Sequence, residues 1–222
     1  MMTLGHSELA DIPAKLNEIK GAPVLKVKLG SAQDEDILKT VLAHDQRRLF
    51  LDANQGWESV EQACAMIGLV GKGRLAGVEQ PFGKDRLDLH RELRDRRIGR
   101  IFGDESVQDM AELEAKADAF DGVNIKLMKC GGLDRASAMI VRARELGMDV
   151  MLGSMSESSL GCGAMVQLAD RADLVDLDGP WLIANDPFEG LALEGGALKI
   201  KGPFGSGIDL KDRGLAWVQY GT

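Results

Sequence analysis

Six short apolar runs in this 222-residue chain end in polar chemistry. Lys26-Val27-Lys28, Asp52-Ala53-Asn54, Glu79-Gln80, Asp104-Glu105, Asn124-Ile125-Lys126 and Asp176-Leu177-Asp178 each close or follow such a run. A single charge there is ordinarily a rim residue or a salt-bridge partner. Repetition at so many run ends points to one shared site, because charge carried into an interior must be paired or must bind a metal. Asp52, Glu79 and Asp104 come from three consecutive runs and offer hard oxygen donors, the chemistry that suits Mg²⁺, with Mn²⁺ as a substitute. The competing arrangement is a carboxylate cluster neutralised by the lysines. Asn54, Gln80 and Glu105 follow the three acids and are expected to support them by hydrogen bonding. Lys28 lies one run before the acids and Lys126 one run after. Two amines on opposing sides of a substrate, each losing basicity through desolvation beside cations, would move a proton at a carbon next to a carboxylate. A metal on that carboxylate would stabilise the enolate.

Strands must carry these residues. Runs at Met2–Leu4, Val24–Leu29, Leu49–Asp52, Gly77–Glu79, Arg100–Gly103, Val123–Leu127, Val150–Gly153 and Leu174–Leu177 start 22 to 28 residues apart. Helical spacing fills the intervals: Ile37, Leu38, Val41 and Leu42; Val60, Ala63, Cys64 and Ile67; Ala111, Leu113 and Ala117; Ala136, Ile140, Ala143 and Leu146, stopped by Gly147. Strand–helix alternation implies a parallel sheet, and eight strands can close into a (β/α)7β barrel of the TIM type, with chemistry at the C-terminal strand ends. The alternative, an open doubly wound sheet, lacks its usual support. No GxGxxG follows the first strand, and there is no Walker A sequence. Residues i and i+2 share a face, so Lys26 pairs with Lys28 and Asp176 with Asp178, whereas Lys129 has the wrong parity for Lys126 and is expected only to assist. The beat stops at Gly179. The expectation is a catalytic barrel over residues 1–179 and a tail over 180–222 that packs on it.

Formal net charge is −8, which implies no basic face for nucleic acid. Cys64, Cys130 and Cys162 are odd in number and widely spaced, so thiols in a reducing cytosol are expected. No apolar run of membrane-spanning length and no signal peptide is seen, which makes a cytoplasmic protein without membrane contact the expectation. His6 ends the first strand and could reach the mouth. His44 and His90 fall in helical stretches and are expected at the surface. Trp57 is expected to pack a loop.

Together the Lys26-x-Lys28 pair, the Asp52/Glu79/Asp104 triad and Lys126 resemble the barrel domain of the enolase superfamily, in its muconate-lactonizing subgroup. Within it, Asp176-x-Asp178, Ile125-Lys126-Leu127-Met128-Lys129 before Gly131-Gly132, and Gly153-Ser154-Met155-Ser156-Glu157 resemble the dipeptide epimerases. The resemblance implies Mg²⁺-dependent 1,1-proton transfer on an L-Ala-D/L-Glu-like dipeptide. Lys28 and Lys126 would be the acid and base, and Lys26 would support the charge. Asp176 and Asp178 would hold the α-ammonium group, with Ser154 and Met155 along the peptide. Similar lysines and acids occur in o-succinylbenzoate synthases and N-succinylamino-acid racemases, whose substrates offer no free ammonium. An inactive barrel fragment is the reading from another class.

Enzymes of this kind begin with an α+β capping domain, whereas this chain starts almost at the first barrel strand. The expectation is a chain that lacks the cap, binds Mg²⁺ and turns over slowly. Phe188, Leu191, Leu193 and Trp217 in the tail would then offer apolar surface to a separate cap or to a second copy of the chain.

Overall fold

In a computed structural model that describes residues 1–19, 21–202 and 206–211, each apolar run becomes a strand whose two faces are both covered. The strands are β1 (Met2–Leu4), β2 (Val24–Lys28), β3 (Arg48–Asp52), β4 (Leu75–Glu79), β5 (Ile101–Gly103), β6 (Gly122–Ile125), β7 (Asp149–Gly153) and β8 (Leu174–Asp176). They pair in sequence order, every neighbour parallel. The Met1 ammonium donates to the Val175 carbonyl and the Thr3 N–H to Asp178 at 2.7 Å, so the first strand lies against the last. Helices α1 (Ile12–Glu18), α2 (Asp34–His44), α3 (Val60–Val70), α4 (Leu87–Asp95), α5 (Met110–Lys116), α6 (Leu127–Cys130), α7 (Leu133–Glu145) and α8 (Ser159–Val166) fill the seven connections. This is the (β/α)7β barrel that the spacing implied.

Outward strand residues such as Leu25, Val27, Leu51, Val123 and Leu152 are fully buried beneath the helices. Burial on both faces is what makes parallel strands read as continuous apolar runs. Inside the barrel, Phe50, Phe102 and Met151 form a separate apolar plug from alternate strands β3, β5 and β7. The two rings meet edge to face with centroids 5.3 Å apart. They need the room left by Gly77 and Gly122. A Cβ on Gly77 would come within 2.7 Å of Phe50, and one on Gly122 within 2.4 Å of Phe102. The plug closes the lower half of the barrel, so Asp52 and Asp104, two positions beyond Phe50 and Phe102, lie in the charged layer above it.

Helix starts follow local chemistry. Ser59 and Asp109 accept from the N–H groups of Gln62 and Glu112, and Gly147 ends α7 at a φ of 72°. The strand limits differ from expectation at two charged ends. β6 stops at Ile125, because Lys126 caps a helical turn whose Lys129 and Cys130 N–H groups return to its carbonyl. β8 stops at Asp176, where a short 3₁₀ turn over Gly179–Leu182 takes over.

Beyond that turn the described residues form two antiparallel pairs, β9 (Phe188–Glu189) with β12 (Asp209–Leu210) and β10 (Leu191–Glu194) with β11 (Ala197–Ile200). Leu191 and Leu198 pack on the barrel core and Phe188 is half-buried. Trp217 lies outside the described residues. No helix among the described residues is long and apolar enough to cross a membrane.

Candidate active site

The C-terminal ends of the strands open into a cavity of about 320 Å³ that Lys26, Lys28, Asp104, Lys126, Asp176 and Asp178 help to line. A larger groove of about 600 Å³ at the other end of the barrel is lined by arginines such as Arg94, already paired with Asp121 at 3.0 Å. It gathers no cluster of carboxylates and lysines like that at the C-terminal mouth, where the chemistry belongs.

Lys26 on β2 is the centre of the buried layer. Its Nζ lies 3.0 Å from Asp52, 2.7 Å from Glu79 and 2.7 Å from Asp176, and its side chain is 2% exposed. Burial works to lower its pKa, but Asp176, Glu79 and Asp52 overcome that and hold it well above the ordinary lysine value. Lys28 reaches the cavity from the same strand, 2.6 Å from Asp52 and 3.0 Å from Asn54 Oδ1. On the far side, Lys126 lies 3.1 Å from Asp104 and 4.0 Å from Glu79. β2 and β6 are four strands apart in a ring of eight, so Lys28 and Lys126 face each other across the mouth.

Two expectations need correction. Lys126 does not lose basicity: burial opposes its charge, yet Asp104 and Glu79 raise its pKa, so it stands as an ammonium. Lys129 is also more than an outlier of the wrong parity. The turn of α6 brings it back over Lys126, and its Nζ is 2.7 Å from the other Asp104 oxygen. Parity applied only while the strand continued.

Asp52, Glu79 and Asp104 do assemble on neighbouring strands, but lysine ammonium groups stand between them. Among the described residues no set of three His, Cys, Asp or Glu side chains converges in ligating geometry. The donor set nevertheless fits a hard divalent cation. Burial, then Asp52, pushes Glu79 up to about 7 despite Lys26. Its Oε2, though near Lys26, accepts no well-directed hydrogen bond, and Glu105 Oε2 is likewise buried without a partner. The lysines thus leave the acids short of positive charge.

Asn54, with φ at 44°, hydrogen-bonds Asp52 through its N–H at 3.2 Å and reaches Glu105 at 3.5 Å. Gln80 is buried and turns away from the cavity, its carbonyl oxygen 3.0 Å from the Asp104 N–H. Asp178 accepts from Thr3, and burial followed by the neighbouring Asp176 raises its pKa. Ser154 lines the cavity and braces the exit of β8 through the Asp176 carbonyl, at 3.3 Å. Met155 stands at the rim, 46% exposed.

Two residues join the site to which the sequence had assigned no role. Asn124 donates to Glu79 at 2.7 Å, and its shared parity with Lys126 was the available signal. Thr3 lies 3.5 Å from Asp176 through its hydroxyl. His6 is exposed and does not line the cavity. Trp57 packs as expected, buried with its indole N–H 2.8 Å from Asp34.

His90 is a correction: the helix forms, but His90 is fully buried, its ring between Phe82 and Phe120. Leu87, His90 and Leu93 recur every three residues, which places it on the core-facing stripe of α4. Burial lowers its pKa from 6.5 to about 4. Between those values the unfolded chain binds a proton that the folded chain refuses, so stability falls as pH falls from 6.5 to 4. The expected loss is about 3 kcal/mol when complete. Urea unfolding at pH 7, 5.5 and 4.5 should show it, and His90→Phe should flatten that part of the slope. An equal slope in both proteins would assign it to the carboxylates instead.

A model of the enolase C-terminal domain-like family matches residues 10–213. The chain is 36% identical over 207 residues to an L-Ala-D/L-Glu epimerase of Bacteroides thetaiotaomicron, covering 93% of this chain and 54% of that protein. An N-succinyl-L-Arg/Lys racemase of Bacillus cereus is 30% identical over 75% of this chain and 48% of its own length. Among solved structures, a Methylococcus capsulatus dipeptide epimerase complexed with Mg and L-Arg-D-Lys superposes with a TM-score of 0.81 at 31% identity, over 93% of this chain and 62% of that one. An Agrobacterium tumefaciens enolase family member with bound sodium and L-Ala-L-Glu gives 0.81 at 33% identity, over 91% and 61%. The chain therefore spans about half to three fifths of these relatives.

Proposed function

We propose, from the premise that this chain belongs to the enolase C-terminal domain-like family, that it epimerises a dipeptide by 1,1-proton transfer at the carbon beside the carboxylate. The observation that carries this reading is the pair Lys28 and Lys126, opposed across a cavity that Asp176 and Asp178 also line. Asp52, Glu79 and Asp104 would hold a divalent cation, Mg²⁺ or in its place Mn²⁺, which when bound offsets the charge that grows on the substrate carboxylate. With Glu79 and Asp104 so engaged, the acids that keep Lys126 protonated are turned elsewhere, and its amine is freed to take a proton as well as give one. Lys28 meets the opposite face of the same carbon. Lys26, held charged by its three acids, supports the anionic end of the substrate. Asp178, with Thr3 behind it, and Asp176 face the α-ammonium group, for which a carboxylate partner in a buried pocket is the natural acceptor. The test is a dipeptide library in heavy water with Mg²⁺, read by mass spectrometry for deuterium at the α-carbon. No uptake on any member, with a cap domain from a relative supplied, removes the epimerase reading.

A second reading, racemisation of an N-succinylamino acid, is favoured by the Bacillus cereus relative and by the commitment of Asp176 to Lys26. The double variant Asp176→Asn with Asp178→Asn separates the two. For a dipeptide, KM should rise tenfold or more, about the 1.4 kcal/mol of one charge-assisted hydrogen bond. An N-succinyl substrate should be processed with little change in KM.

A further inference from the structure

We infer that Gln80 is a positioning residue for Asp104, clamping the exit of β5 so that this acid is presented to a divalent cation already in its binding position. The inference rests on the metal-binding reading of Asp52, Glu79 and Asp104. Gln80 follows Glu79 directly and is fully buried, with φ at 38°, in the left-handed region that few side chains adopt without support. Its own N–H donates to the Phe102 carbonyl on β5 at 2.9 Å and its carbonyl accepts from Gln55 at 2.8 Å, so the backbone is pinned on both sides. That twist aims the side chain away from the mouth and beneath the next loop.

The side-chain amide then holds two alternate residues of that loop. Its oxygen accepts from the Asp104 and Ser106 N–H groups, each at 3.0 Å. Backbone N–H groups only donate, so these contacts fix which end of the amide is oxygen. The nitrogen faces three acceptors: the Ser106 hydroxyl at 2.7 Å, the Phe82 carbonyl at 3.0 Å and His90 Nε2 at 3.3 Å. Ser106 in turn donates to the Lys84 carbonyl at 2.9 Å, so its oxygen is free to accept from Gln80. His90 Nδ1 lies 2.8 Å from the Arg86 carbonyl and must carry the ring proton, which leaves Nε2 as an acceptor. The two amide hydrogens are shared among these three acceptors, with Ser106 and Phe82 the nearer pair. One residue adjacent to Glu79 thus sets where Asp104 leaves its strand, coupling two of the three candidate ligands without touching either carboxylate.

The experiment compares Mg²⁺ affinity by titration calorimetry in the full chain, wild type against Gln80→Met and His90→Phe. Methionine fills similar volume and abolishes the clamp. Phenylalanine disturbs the same core but leaves Gln80 with two acceptors for its two hydrogens. The expected result is a tenfold or larger loss of affinity in Gln80→Met, at a temperature where circular dichroism shows it folded, and a change below about threefold in His90→Phe. Equal affinity in all three proteins, or equal losses in both variants, overturns the inference and leaves the metal reading standing. A wild-type chain that takes up no Mg²⁺ overturns both. Hydrogen exchange on the wild type adds a readout that no variant is needed for. The Asp104 and Ser106 amides should be protected without Mg²⁺ and little changed by it; free exchange until the ion is added would mean that no clamp exists.

Discussion

Lys28→Gln and Lys126→Gln should each reduce epimerisation about 10²- to 10⁴-fold, the usual contribution of a positioned acid or base, while leaving proton exchange alive on one epimer only. The asymmetry follows from geometry. β2 and β6 stand on opposite sides of the ring, so each amine meets one face of the α-carbon. In Lys28→Gln, the epimer whose α-proton points at Lys126 can still lose it and regain deuterium from the same amine. It exchanges without inverting. The other epimer has no base on its side and keeps its proton. Lys126→Gln should reverse the preference. Each amide is one atom shorter than the lysine it replaces but keeps hydrogen-bonding capacity, so the cavity need not collapse. Lys126 also neutralises Asp104, but Lys129 lies 2.7 Å from the other oxygen of that carboxylate and keeps it paired. The measurement is α-deuterium uptake on each pure epimer alongside polarimetry. Uptake at equal rates on both epimers in either variant would mean that one base serves both faces, and the opposed-lysine mechanism would be wrong.

How far such a site can be read in sequence depends on whether strand geometry holds to the residue in question. Lys26, Asp52, Glu79 and Asp176 were legible because each sits on a strand where alternation applies, and the structure places all four in one buried layer. Lys129 was not, because β6 ends at Ile125 and a helical turn replaces a period of two with one near three and a half. Asn124 could be found by parity, but an uncharged amide raised no alarm. His90 was misplaced because a titratable side chain was weighed by its type and not by its position on the α4 stripe. Gln80 was expected to support the acids, but the way it reaches Asp104 left no trace: it depends on a left-handed backbone and on how closely two loops approach, neither of which is periodic. The barrel was read more easily because eight similar runs state the same rule repeatedly, so an error of one or two residues at an end, as at β8, changes nothing in the topology.

Lys26→Met is expected to cost about 3–5 kcal/mol at pH 7, the usual penalty for stripping one partner from a buried ionic cluster. The reason is that three acids share this one ammonium. Asp52, Glu79 and Asp176 lie within 3.0 Å of Nζ and are all but excluded from solvent. Methionine occupies similar volume, so packing changes little and the effect is electrostatic. The pH dependence gives the test its direction. Glu79 is already raised from 4.5 to about 7 by burial and by Asp52, even with Lys26 present. A carboxyl whose pKa is higher folded than unfolded binds more protons in the folded state, so its contribution to stability is full below 4.5 and lost as pH rises through 7. Without Lys26 the Glu79 carboxyl is pushed higher still, so the deficit of the variant should shrink towards pH 5 and widen towards pH 8. Added Mg²⁺ should stabilise the variant more than the wild type, because a divalent cation then enters a cluster with no competing ammonium. Urea unfolding at pH 5, 7 and 8, with and without Mg²⁺, measures all of this. A variant as stable as the wild type at pH 8 would show that Lys26 is a substrate-facing group with no structural charge to balance.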